Sequence, residues 1–140
     1  MRGMVHHVDL TVLDPERSRS FSESVLGFMG YRRVSADARG YDFDLEQRDG
    51  GFCSIGLVRA QSNGRKRRHN RHSPGLHHLA WSAESRDDVN QLHELLLGIG
   101  ASILDAPAEY PEYGAGYYAV FFADPSGNRL EVYVRPPVED

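Results

Sequence analysis

Two histidines and one glutamate stand at positions from which they could bind a divalent metal ion. Residues 5–12 (VHHVDLTV) and 76–83 (LHHLAWSA) both open with a His-His pair after one apolar residue. A third segment, residues 124–134, carries Glu131 in the run RLEVYV. Two imidazoles and one carboxylate form a ligand set that suits divalent metals and leaves coordination positions open. The sequence therefore predicts a metal site and makes the chain a candidate metalloenzyme.

Strand alternation predicts which histidine of each pair takes part. Successive side chains of a strand point to opposite faces, so the apolar set of each strand identifies the face that packs under a helix. By this pattern His7 and His78 face away from the helices, whereas His6 and His77 fall on the helix side. The same alternation places further residues on the face of His7 and His78, namely Asp9, Thr11, Ala80, Ser82, Arg129, Glu131 and Tyr133.

The chain contains an internal repeat that relates the two histidine segments. His7 and His78 are 71 residues apart, and so are Gly27 and Gly98. Landmarks with one common offset indicate a duplicated unit. The offset later rises to 75, so about four extra residues are expected in the second half, within the Pro- and Tyr-rich residues 107–118.

Each half is predicted to form a strand, a helix and three further strands. The first helix is expected to begin at Asp14-Pro15 and to end at Gly27. The second is expected to begin at a capping box formed by Ser85 and Asp88. The predicted strands lie at about 4–12, 30–36, 39–47, 52–59, 76–83, 101–105, 116–123 and 128–134.

Composition narrows the function classes. The chain has 140 residues, of which 40% are hydrophobic and 26% charged, so a packed core is expected and disorder is not. A net charge of −4 argues against nucleic acid as a partner. No apolar run reaches signal-peptide or membrane-span length. The single cysteine, Cys53, excludes an intrachain disulfide and is predicted to be a buried structural thiol, so a cytoplasmic protein is expected.

A basic segment, residues 59–72, joins the two halves and holds six of the sixteen Lys and Arg residues. It is polar and lacks an apolar period, which is typical of a solvated loop. A lid over an anionic substrate is the alternative. Nucleic-acid binding is a weaker alternative because no aromatic residues are interleaved with the charges.

The sequence resembles the vicinal oxygen chelate superfamily, which includes glyoxalase I, extradiol dioxygenases and the bleomycin-binding resistance proteins. The resemblance is carried by residues 7–12, 25–28, 78–81 and 122–131. It implies an α+β fold of two βαβββ modules whose mixed sheets curl into a cup with the helices outside. The chain is accordingly expected to be a single glyoxalase-like domain, with module 1 at about 4–60, a basic linker at about 61–74 and module 2 at about 75–135. The resemblance also implies a homodimer.

By this resemblance, His7, His78 and Glu131 carry over as ligands of Fe, Mn, Ni, Co or Zn, and Glu131 is the candidate catalytic residue. Glyoxalase I enzymes place a further glutamate on the last strand of the first module. The matching position here is Gly56. The chain is therefore not expected to be a typical glyoxalase I.

Candidate substrate-binding residues share the predicted site face or the extra segment. Arg129 would pair with a carboxylate or phosphate of the substrate, and Asp9 would orient His7. Both could equally be peripheral. Tyr133 lies on the same face as Arg129. Four tyrosines of the extra segment could line the site or pack on one another, namely Tyr110, Tyr113, Tyr117 and Tyr118.

Three functions remain open from the sequence. The first is a divalent-metal-dependent enzyme (lyase, isomerase, transferase or dioxygenase) acting on a small molecule that chelates the metal through oxygens. The second is a metal-free small-molecule binding or resistance protein of the bleomycin-binding type. The third is an interaction domain that uses the basic loop.

Overall fold

The computed structural model describes residues 2–61 and 67–136 of the chain. The chain divides into two compact units, residues 1–68 and 69–140, and each contains one four-stranded sheet and one helix. Residues 62–66, which belong to the predicted basic linker, lie outside the described residues, so the lid hypothesis concerns a segment that is only partly described. That the two modules act as a single domain stays a prediction.

Unit 1 follows the predicted order of strand, helix and three strands. Its elements are β1 (His7–Val12), α1 (Pro15–Phe28), β2 (Arg32–Ala36), β3 (Gly40–Glu46) and β4 (Phe52–Arg59). The strand order in the sheet is β1-β4-β3-β2, with β1 parallel to β4 and the remaining pairs antiparallel. Buried apolar side chains of β1, α1, β3 and β4 form the core of this unit.

Unit 2 repeats the same topology. Its elements are β5 (Leu79–Ser82), α2 (Arg86–Gly98), β6 (Ser102–Glu109), a 3-10 turn (Pro111–Tyr113), β7 (Tyr118–Ala123) and β8 (Arg129–Val134). The strand order is β5-β8-β7-β6, with β5 parallel to β8. Val89, Leu92 and Leu96 of α2 are fully buried. The predicted α+β fold of two βαβββ modules is thereby confirmed.

The start of each helix is fixed by the residue predicted to cap it. The Asp14 carboxylate accepts a hydrogen bond from the Glu16 backbone N–H at 3.0 Å. In α2, the Asp88 N–H donates to Ser85 Oγ at 3.1 Å, and the Ser85 N–H donates to Asp88 Oδ2 at 2.9 Å. These reciprocal bonds satisfy two N–H groups that the first turn of a helix leaves without partners.

The prediction that Gly27 ends α1 is wrong. Gly27 lies within the helix, and the stop is made three residues later at Gly30, which has φ +92°. The Gly30 N–H donates to the Gly27 carbonyl and the Tyr31 N–H donates to the Leu26 carbonyl. This pair of bonds is the Schellman arrangement, which needs a left-handed residue that glycine adopts at little cost. Gly100, with φ +68°, ends α2 in the same way.

The extra residues of the second half lengthen one strand and add a turn. β6 has eight residues, whereas its counterpart β2 has five. Two register shifts interrupt the pairing of β6 with β7, and the 3-10 turn follows. The predicted strand at 101–105 therefore continues to Glu109. Among the described residues, no helix is long and apolar enough to cross a membrane.

Candidate functional site

A cavity of about 370 Å³ lies in unit 2 and contains the candidate residues of the last strand. Arg129 and Glu131 of β8 line it, whereas Leu130 and Val132, which alternate with them, are buried in the core. The strand period thus separates the two sets as the sequence predicts. The volume is within the range of small-molecule binding sites.

Glu131 is a buried carboxylate with a defined partner at each oxygen. Its side chain is only 4% exposed. The Tyr117 hydroxyl donates a hydrogen bond to Oε1, and His78 Nε2 lies 3.3 Å from Oε2. A carboxylate removed from water in this way needs charged or hydrogen-bonding partners. The cavity therefore brings together two of the three residues predicted to bind a metal.

The separation of these two groups fits a shared divalent ion. Ligand bonds of about 2.1 Å place two ligands of one ion about 3.0 Å apart in octahedral geometry and about 3.4 Å apart in tetrahedral geometry. The 3.3 Å between His78 Nε2 and Glu131 Oε2 falls in this interval. In the part of the chain that the structure describes, no group of three His, Cys, Asp or Glu side chains forms a complete ligand set. His78 and Glu131 are close enough to contact one ion, and their role as metal ligands stays a prediction.

His77 also lines this cavity, so its predicted place on the helix side is wrong. The alternation rule does not apply to it, because β5 begins only at Leu79. His77 Nδ1 lies 2.7 Å from His78 Nδ1, which requires one of the two nitrogens to donate and the other to accept. Desolvation and the positive charge of Arg71 lower the pKa of His77. A neutral His77 can accept the Nδ1 proton of His78 and leave Nε2 of His78 free as a ligand.

Arg129 is held in place at the cavity wall. Its guanidinium lies 3.4 Å from Asp105 Oδ2 and 4.5 Å from the centroid of the Phe121 ring. Its side chain is 18% exposed. The predicted orientation of Arg129 toward the site face agrees with this position, although its charge is partly balanced by Asp105.

The tyrosines of the extra segment take different positions. Tyr113 and Tyr117 line the cavity, and Tyr133 stacks on Tyr117 with ring centroids 4.8 Å apart. Desolvation and the hydrogen bond to Glu131 raise the pKa of Tyr117 well above its usual value. Tyr110 packs against Tyr113 and Phe121. Tyr118 instead donates a hydrogen bond to Asn90 of α2, so it does not belong to the cavity wall.

Unit 1 carries the counterparts of this site on β1 and β4. Asp9 is paired with Gly56 across the parallel strands, as Ala80 is paired with Glu131 in unit 2. Gly56 is therefore the structural equivalent of Glu131. A Cβ atom added at Gly56 would lie 2.2 Å from Asp9 Oδ1 and 3.1 Å from Asp42 Oδ1. The space that a side chain at position 56 needs is thus taken by the Asp9 carboxylate.

His7 shares one contact with its counterpart in unit 2, His78. His6 Nδ1 lies 3.0 Å from His7 Nδ1, which matches the arrangement of His77 and His78. The side chain of His7 is exposed on the surface of unit 1. Its role as a third metal ligand stays a prediction. Cys53 of β4 is half-buried and lies 3.4 Å from the Tyr31 hydroxyl.

Arg71 is a cavity residue that the sequence pattern does not single out. It lies in a short loop closed by His69, whose backbone N–H donates to the Ser126 carbonyl at 3.0 Å. The His69 ring is also bonded to the Leu76 carbonyl at 2.8 Å. The only sequence signal for Arg71 is its membership of the basic segment, which does not distinguish it from its neighbours.

Comparison with known proteins assigns the family. The family model of the Glyoxalase/Bleomycin resistance protein/Dioxygenase superfamily matches residues 4–132. The chain belongs to this superfamily. Members of this superfamily bind small-molecule substrates, often use divalent metals and often form dimers.

Individual proteins resemble the chain over nearly its full length. It is 32% identical to the uncharacterized protein YqjT of Bacillus subtilis strain 168 over 128 residues, which cover 91% of this chain and 96% of YqjT. A structure solved as a candidate glyoxalase from Bacillus halodurans superposes with a TM-score of 0.77 at 29% identity, covering 96% and 97% of the two chains. Lactoylglutathione lyase from Agrobacterium tumefaciens shares the fold, with a TM-score of 0.65, 21% identity and coverage of 94% and 93%.

Proposed function

We propose that this chain is a divalent-metal-dependent enzyme that acts on a small molecule able to chelate the metal through oxygen atoms. The observation that carries this proposal is the buried Glu131 carboxylate facing His78 at 3.3 Å in a cavity large enough for a small molecule. A buried carboxylate beside an imidazole is a costly arrangement that metal binding would stabilise.

His78 and Glu131 would hold the ion together with His7, the third ligand expected from the sequence. When bound, a divalent ion supplies Lewis-acid chemistry, polarising a substrate oxygen and stabilising negative charge that develops on it. Three protein ligands leave about three positions open on an octahedral ion, which is enough for a substrate that binds through two oxygens. Fe, Mn, Ni, Co and Zn all suit this ligand set.

The residues around Glu131 would keep the ligand oriented. The Tyr117 hydroxyl holds Oε1, so that Oε2 remains directed toward His78. The Tyr117 hydroxyl is protonated at neutral pH and therefore remains a hydrogen-bond donor. Such outer partners of metal ligands typically change metal affinity about 10- to 100-fold when they are removed.

Metal content tests this proposal directly. The purified protein is loaded in turn with Mn, Fe, Co, Ni and Zn salts, desalted and analysed for bound metal, together with the variants His78→Ala and His7→Ala. His93→Ala, a histidine on α2 outside the cavity lining, is the matched control. We expect near-stoichiometric metal in the native protein and the control, and none in the other two variants. Equal metal content in all four proteins would contradict the ligand assignment.

A metal-free small-molecule binding protein of the bleomycin-binding type is the second candidate. The aromatic wall formed by Tyr113 and the stacked pair Tyr117 and Tyr133 favours it, since such rings bind flat ligands without a metal. Absence of bound metal under every loading condition, combined with ligand binding by the metal-free protein, would favour this second function.

The oligomeric state and the cellular location are proposed from the superfamily and from the amino-acid composition. Because superfamily members often form dimers, we propose a homodimer. The mass in solution, measured by light scattering, tests this directly. The single cysteine is compatible with a reducing compartment, and we propose a cytoplasmic location. Fractionation of cells that express the tagged protein would test it.

A further inference from the structure

We propose that Arg71 is the anion-binding residue of the unit 2 cavity, and that the ligand of this cavity is a small planar molecule carrying a carboxylate group. This inference deepens the proposed function and rests on it only in assigning that ligand the role of substrate. The juxtaposition that carries it is a guanidinium with no anionic partner among the described residues, beside an aromatic wall and the pair formed by His78 and Glu131.

The loop that carries Arg71 is anchored at both ends. His69 binds the Ser126 carbonyl through its backbone and the Leu76 carbonyl through its ring. Between these points, the Asn70 side chain accepts a hydrogen bond from the His72 N–H at 3.0 Å, and the Ser73 N–H donates to the Asn70 carbonyl. Arg71 is therefore presented to the cavity by a closed, hydrogen-bonded loop, which reduces the entropy lost when it binds a ligand.

Two arginines line the cavity, and within the described part of the chain Arg71 is the one without a neighbouring carboxylate. Arg129 is paired with Asp105, and both oxygens of Glu131 have partners. Among the residues that the structure describes, no carboxylate lies within 4.0 Å of the Arg71 guanidinium. Arg71 is half-buried, and an anion that accepts the paired N–H groups of its guanidinium would stabilise it. A carboxylate matches that planar fork.

The remaining wall selects for a flat ligand. Tyr113 and Tyr117 meet edge to face with centroids 5.4 Å apart, and Tyr133 stacks behind Tyr117 with an interplanar angle of 3°. Phe121 completes the lining beneath Arg129. Aromatic walls of this kind favour planar rings through offset and edge contacts. A carboxylate on a planar ring therefore satisfies both parts of the cavity.

Benzoate is the probe that tests this inference, with benzamide as its neutral counterpart of the same shape and acetate as an anion without a ring. Each is titrated into the metal-free protein, and binding is followed by heat and by the NMR signals of the tyrosine rings. We expect benzoate to bind and benzamide to bind at least about tenfold more weakly, since a charge-assisted hydrogen bond contributes about that factor. Acetate should also bind more weakly than benzoate, because it lacks the ring that contacts the aromatic wall.

Two variants with the same change in net charge separate a specific contact from a general effect of charge. Arg71→Gln is expected to weaken benzoate binding about tenfold or more while leaving benzamide binding and the melting temperature unchanged. Arg68→Gln removes a charge from an exposed residue of the same basic segment that does not line the cavity, and it is expected to bind benzoate as the native protein does.

The outcomes distinguish this inference from the proposed metal function. Equal benzoate affinities for the native protein and Arg71→Gln, or equal losses in Arg71→Gln and Arg68→Gln, would overturn the role of Arg71 whatever the metal content. If benzoate binding depends on Arg71 but no metal is ever bound, the inference stands and the metal function fails. Equal affinities for benzoate and benzamide would overturn the carboxylate preference.

Discussion

Replacement of Glu131 by glutamine should separate metal binding from folding, because the two side chains have nearly the same shape. In the native protein the carboxylate is 4% exposed and contacts Tyr117 and His78. The glutamine carbonyl can accept the Tyr117 hydroxyl, and its amide can donate to an unprotonated His78 Nε2. Both contacts survive and a buried charge is removed, so the free energy of unfolding should change by no more than about 1 kcal/mol.

Metal affinity, unlike stability, should fall strongly in Glu131→Gln. An amide oxygen is a poorer ligand than a carboxylate, and the substitution removes a negative charge directly at the ion. Loss of a partner behind a ligand lowers affinity about 10- to 100-fold, so loss of the ligand itself should lower it at least about 100-fold, which corresponds to about 2.7 kcal/mol. The affinity for Mn or Co is measured by calorimetry, and stability is measured by thermal and urea unfolding of the metal-free proteins.

The control is Glu94→Gln, a carboxylate of α2 that is exposed and outside the cavity lining. It should retain both the native metal affinity and the native stability. Metal affinities that agree within a few-fold for all three proteins would refute Glu131 as a ligand. A loss of several kcal/mol of stability in Glu131→Gln would show instead that the carboxylate serves mainly to hold the cavity together.

Three further predictions concern single side chains. Tyr117→Phe removes the donor to the buried carboxylate and should lower the free energy of unfolding by about 1–3 kcal/mol, measured as a lower melting temperature. An unchanged melting temperature would show that this hydrogen bond does not stabilise the fold. Gly40→Ala would place a Cβ 1.7 Å from a backbone oxygen of β4 and should destabilise the fold severely. Gly27→Ala lies inside α1 with open space around it and should increase the free energy of unfolding in urea by about 0.5–1 kcal/mol. Equal effects of the two substitutions would contradict this contrast. Ser85→Ala breaks the capping box of α2 and should cost about 1 kcal/mol in the same assay, and an unchanged midpoint would argue against the cap.

The fold could be predicted from the sequence because each element carries its own local signal. The capping residues Asp14 and Ser85 mark the helix starts, and the repeat of the histidine segments shows the duplication. The helix ends were harder to predict, because Gly27 and Gly30 both stand near the end of α1. The backbone angle φ decides which glycine ends the helix, and of these two glycines it is positive only at Gly30.

The candidate site could be predicted only where it follows the strand period. Glu131 and Arg129 lie within β8, so alternation places both on the cavity side. His77 precedes its strand, so strand alternation does not determine the direction of its side chain. Arg71 reaches the cavity through the loop closed by His69, a tertiary contact that no local pattern encodes.

The close approach of Asp9 to Gly56 couples the choice of residue at these two positions. A side chain at position 56 meets Asp9 Oδ1 at 2.2 Å, so its cost depends on which residue occupies position 9. Residues in such contact are expected to show non-additive free energies. A side chain at position 56 therefore requires the Asp9 carboxylate to rotate away or to be replaced by a smaller residue. A designer who wishes to restore the symmetry of the two modules should therefore vary positions 9 and 56 together, because the effect of each depends on the other.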